Sequence, residues 1–173
     1  NPESLTRYNL SPVAIETEVN NMLDVLTAHP LADRLQITLM PGRTGLTGDL
    51  RMAWELEGGQ ILDDLPTSLD NLIQELSRGE GYHILHYLGH GTLQRGHAGL
   101  LMEDARGQTR PIKDQLIASR LSAVDSLPHL IFLAACDSAK RVPGNPNPFV
   151  GPAPRPIQVG VPAIIAMQDK IAI

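Results

Sequence analysis

His83-Ile-Leu-His-Tyr-Leu-Gly-His-Gly91 and Leu130-Ile-Phe-Leu-Ala-Ala-Cys-Asp-Ser-Ala139 are the two stretches that decide how this sequence folds. Each is a short apolar run of strand length that stops abruptly at a reactive side chain set among small residues. His90 ends the first; Cys136, the only cysteine, ends the second, 46 positions later (136 minus 90). In an open parallel sheet, the carboxyl ends of neighbouring strands converge on one crevice, so residues distant in sequence meet there. A histidine and a cysteine placed in this way are a candidate base and nucleophile.

Working outward from these runs, residues 1–12 carry two prolines and no period, which predicts an irregular lead-in. Ile15, Val19, Met22, Leu23, Val25 and Leu26 then recur at helical spacing and predict an amphipathic helix ending near His29-Pro30. Residues 35–40 read as a strand closed by Pro41-Gly42, and residues 51–56 as another closed by Gly58-Gly59. Pro66-Thr-Ser-Leu opens a helix in which Thr67 or Ser68 caps and Leu69, Leu72, Ile73 and Leu76 form the buried stripe; Gly79 ends it. After a strand over 82–88, a hairpin over 99–111 turns at Ala105-Arg106-Gly107, residues 112–121 read as a helix, and 129–134 as the next strand. Helices alternating with apolar strands predict an α/β fold with a mostly parallel central sheet flanked by helices. Residues 140–156 hold six prolines and two glycines, which excludes a long helix and predicts a surface loop.

The bulk properties agree with one globular domain spanning residues 1–173. Hydrophobic residues make up 42% and aromatics only 3%, so the core is aliphatic. A formal charge of -5 with no basic stripe argues against nucleic acid as a direct partner. No apolar run is long enough for a membrane span, the start is unlike a signal peptide, and a lone cysteine forms no internal disulfide. These features predict a reducing, cytoplasmic setting without membrane contact. No first strand precedes Ser11 and the chain stops just after the apolar run 163–167, so the domain reads as incomplete at one or both ends.

Strand-Gly-His-Gly followed by strand-Ala-Cys-Asp-Ser resembles the CHAT domain, a caspase-like module of the cysteine peptidase clan that includes caspases, separases and gingipains. Val159-Gly-Val-Pro-Ala-Ile-Ile-Ala-Met-Gln168 is similar to the family's segment after the cysteine helix, and the helix opened at Pro66 fits the one before the histidine strand. The three motifs occur in the family's order from about residue 66 onward. The resemblance implies a three-layer caspase-like fold and a cysteine endopeptidase acting on a protein or peptide substrate. It also implies His90 as the catalytic histidine, Cys136 as the nucleophile, and a regulatory helical-repeat region outside this chain. Pro152, Pro154 and Pro156 interrupt the helix that usually precedes the Gly-Val-Pro segment.

The chemistry follows from residue types. Taken alone, Cys136 reads as a buried structural thiol. Asp137-Ser138, however, can begin a helix whose positive amide end favours the thiolate. His90 would take the thiol proton and later hand a proton to the leaving amine. The amides of Gly91 and Cys136 are the natural donors to the oxyanion. Gly89 and Gly91 permit unusual backbone angles and close approach of a substrate chain. His86 reads as a hydrogen-bonded support or a core residue, and His83, His97 and His129 as surface groups. Asp137 or Asp49 could attract a basic substrate side chain, against the plainer readings of a helix cap and a solvated loop acid.

Side chains alternate along a strand, so only two of the nearby histidines can converge, and no metal or cofactor is expected. Gly-x-Ser-x-Gly is absent, and residues 41–48 are glycine-rich without a P-loop's Gly-Lys-Ser/Thr ending. The competing readings are a catalytically silent or partner-gated interaction module of the same fold and, more distantly, a nucleotide-binding α/β domain.

Overall fold

The computed structural model describes residues 5–63, 65–94, 97–135 and 154–166. Two compact units emerge, Asn1–Ser68 with Glu103–Gln108, and Leu69–Met102 with Thr109–Ile173.

The first unit opens with a single 3-10 turn, Thr6–Tyr8, followed by helix α1, Ile15–Ala28. Glu16 and Glu18 stand in the first turn of α1, where the helix dipole favours acids. The helix stops where expected, because His29 precedes Pro30 and adopts an extended conformation, φ -87 and ψ 133. Val19 is buried and Ile15, Met22, Leu23 and Leu26 pack around it, whereas Val25 is 66% exposed and drops out of the expected stripe.

Strand β1 is only Thr38–Leu39; helix α2 spans Gly48–Leu56, and strand β2, Gln60–Ile61, pairs parallel with β1. The strand expected over 51–56 is therefore helix. Met52, Trp54 and Leu56 mimic a two-residue period, yet Leu50 and Trp54 are buried while Met52 and Leu56 are 63% and 79% exposed. Burial at i and i+4 with exposure at i+2 and i+6 is helical. The glycine-rich stretch before it makes one 3-10 turn, Gly42–Thr44, and leads into the helix at Gly48.

Buried Glu103 ties this unit together. Its carboxylate accepts from the amides of Thr67 at 2.8 Å and Arg43 at 3.1 Å, and its own amide donates to the Thr67 carbonyl. Gly42, at φ +68, must lack a side chain, since a Cβ there would lie 2.4 Å from the Thr67 hydroxyl and 2.7 Å from Glu103. The turn that follows holds itself: Asp104 Oδ1 accepts from the amides of Arg106 and Gln108, and Gly107 takes φ +72.

The second unit begins with helix α3, Leu69–Leu76. Leu69 and Leu76 are buried, with Leu72 and Ile73 packed beside them, as the spacing predicts. Strand β3, Ile84–Gly89, leads through His90 alone into β4, Gly91–Gln94, which pairs antiparallel with β5, His97–Glu103. Strand β6, Thr109–Lys113, adjoins β5, helix α4 is Asp114–Leu121, and β7 is Leu130–Ala135. Residues 112 and 113, expected in that helix, thus close β6. A short helix α5, Pro154–Gln158, precedes β8, Ala163–Ala166.

Prolines 154 and 156 do not prevent α5, because the first turn of a helix has no use for its amide hydrogens. The rest of the proline-rich loop, through residue 153, lies outside the described residues, as do the first four residues of the expected irregular lead-in.

The sheet order β3-β7-β8 is wholly parallel, with Leu85 beside Ile131 and Ile131 beside Ile164. On one face Ile131, Leu133 and Ala135 join Leu69, Leu76, Ile117 and Leu121 in a continuous core, so α3 and α4 cover it. On the other face Ile84 and Ile165 are exposed. The molecule is mixed α/β with a mostly parallel sheet, as expected; the described residues of this unit supply one of the two helical layers. Among the described residues, no helix is long and apolar enough to cross a membrane.

Candidate active site

Strands β3 and β7 end together. Their register pairs Leu88 with Ala134 and Gly89 with Ala135, so His90 is the first residue past the last pair on one side. Cys136 is the next residue in sequence on the other, and lies with Asp137 outside the described residues.

His90 is half-buried at the junction of two sheets. Its carbonyl accepts from the Leu101 amide at 2.9 Å and lies 3.3 Å from the Tyr87 hydroxyl, which sits 2.7 Å from the Leu101 carbonyl. Burial pushes the Tyr87 phenol well above the usual tyrosine range, so the hydroxyl keeps its proton and donates. The backbone of His90 is thereby fixed to β5 immediately after it leaves β3.

The flanking glycines act differently from expectation. Neither Gly89 nor Gly91 has a positive φ; Gly89 is the last residue of β3 and Gly91 the first of β4. What Gly89 supplies is space: a Cβ there would lie 2.5 Å from the Tyr87 hydroxyl oxygen and 2.7 Å from Cζ. Tyr87 and Gly89 are two apart on one face of the strand, and the ring leans over the glycine.

His86 is exposed, which rules out the core alternative; its ring lies 4.7 Å from that of Phe132, its partner in register. His83 and His129 are exposed, as expected, with ring centroids 5.3 Å apart in an edge-on arrangement. The His97 side chain lies outside what the structure describes. Asp49 is exposed in the first turn of α2, a helix-end acid rather than the loop acid its sequence suggested. Sequence reasoning missed Tyr87 and Leu101. A tyrosine two residues before a glycine at a strand end was the available signal.

Comparison with protein families matches residues 14–173 to the CHAT domain. The chain belongs to that family, a caspase-like domain related to cysteine peptidases. Comparison with curated proteins and with solved structures found no match.

Proposed function

We propose, from its membership of the CHAT family, that this chain hydrolyses peptide bonds in a protein substrate through a dyad of Cys136 and His90. The observation that carries the reading is the Gly89 to Ala135 register in neighbouring parallel strands. Such strands run about 4.8 Å apart, and a peptide bound at their common carboxyl end would meet both strand ends.

In this mechanism His90 accepts the proton of the Cys136 thiol. The thiolate attacks the scissile carbonyl, the carbon–nitrogen bond breaks as His90 protonates the leaving amine, and water then releases the acyl group. The oxyanion would be met by the amides of Gly91 and Cys136. Support for the first comes from the ladder: His90 pairs through its carbonyl with Leu101, so the next pair, Gly91 with Leu100, is a non-hydrogen-bonded one. The Gly91 amide therefore turns away from β5.

The reading extends to a reducing compartment such as the cytoplasm, where a thiolate nucleophile persists, and to control by a helical-repeat region beyond this chain. The same reading includes preference for a basic substrate side chain, met by Asp137 or Asp49. A peptidyl electrophile should modify Cys136 in the wild type and fail to do so in His90→Ala. Cys136→Ala should abolish cleavage with an unchanged melting temperature. Cleavage that survives Cys136→Ala ends the proposal, and a folded protein with an unreactive Cys136 favours a silent interaction module.

A further inference from the structure

Tyr87 has no place in the dyad, yet its hydroxyl reaches the backbone carbonyls of His90 and Leu101. We propose that Tyr87 is a positioning residue that aims the Gly91 amide at the oxyanion, with Gly89 kept side-chain-free to admit its ring. The inference rests on the dyad reading for its catalytic meaning.

The geometry runs through one peptide plane. The carbonyl of His90 and the amide of Gly91 belong to the same rigid unit and point in opposite directions, so whatever holds the first aims the second. Three contacts make a closed ring around that carbonyl: Leu101 N to His90 O at 2.9 Å, Tyr87 Oη to Leu101 O at 2.7 Å, and Tyr87 Oη to His90 O at 3.3 Å. The phenol has one proton, which the shorter contact takes. It thus fixes the carbonyl of Leu101, the residue whose own amide holds His90.

A tyrosine serving only as filler would need neither its hydroxyl nor a glycine two residues on. Here the apolar ring packs against the core while the hydroxyl reaches past Gly89. The β3 to β4 passage through His90 alone leaves no intervening loop to absorb a misaligned plane.

The test uses the full chain and Tyr87→Phe, which keeps the ring and removes only the hydroxyl. An interaction made in the transition state lowers kcat with KM unchanged, and a misaimed oxyanion donor should lower kcat roughly ten- to a hundredfold. Affinity for a peptide aldehyde, whose tetrahedral adduct needs the oxyanion donors, should fall in parallel, while the rate of Cys136 alkylation by iodoacetamide, which needs none, stays within about twofold of wild type. The backbone arm is independent of activity: the NMR shifts and hydrogen exchange of the Gly91 and Leu101 amides should change in Tyr87→Phe. Unchanged amide signals, or equal losses in aldehyde binding and alkylation, overturn the proposal. A wild type inert to substrate and electrophile sinks the dyad instead, and the amide signals still judge the positioning of Gly91.

Discussion

In β7, Ile131 and Leu133 are 2% and 3% exposed, whereas their register partners in the neighbouring β3, Leu85 and Tyr87, are only partly buried. The two strands share one register and one sheet but are held by different means. A central strand has partners on both edges, and the covered face makes its alternate side chains the middle of the core. Among the described residues β3 pairs within this sheet with β7 alone, and its end carries local anchors. Here those are the Tyr87 hydroxyl and the Leu101 amide on either side of His90. The strand that leads to Cys136 is fixed by packing, and the strand that leads to His90 is fixed at its end by hydrogen bonds.

The comparison breaks first in the central strand if it is wrong. Leu133→Ala should destabilise the fold by about 2–5 kcal/mol in denaturant unfolding, since the cavity opens among α3, α4 and β7. A loss no larger than that of an exposed residue would refute the distinction between centre and edge. On β3, Gly89→Ala should cost about 1–3 kcal/mol, because the new methyl overlaps the Tyr87 ring. The two sites are in contact, so Tyr87→Ala combined with Gly89→Ala should cost less than the sum of the single changes.

Alkaline titration sharpens the picture of the anchor. The folded state holds the Tyr87 phenol neutral above the ordinary value of 10.0, while the unfolded chain ionises there, so native stability should fall as pH rises through and beyond that value. Tyr87→Phe should remove that part of the decline; equal slopes for both proteins would mean the phenol is not desolvated. The smallest effect belongs to the open face: Ile84→Ser should alter stability by no more than about 0.5 kcal/mol. A large loss would mean that something covers this face in solution.

Much of this was readable beforehand where a run was long and uninterrupted. Strands β3 and β7, the α3 stripe and the Asp104–Gln108 turn follow from apolar continuity, helical spacing and turn chemistry. Reading failed over 51–56, where Met52, Trp54 and Leu56 imitate a strand because one helix face there is apolar yet exposed. It failed in a different way at Gly89. Sequence reasoning assigns a glycine to backbone freedom, and the reason turned out to be the neighbour's ring.

The sequence alone determined that His90 and Cys136 each follow an apolar strand, because strand length and side-chain polarity are local properties. Only the tertiary structure decided which strands are neighbours, that Gly89 aligns with Ala135, and that His90 is bound through its carbonyl to a strand beginning after it. Pairing and register depend on the burial of one whole face at once, a sum over residues distant in the chain that no local pattern contains.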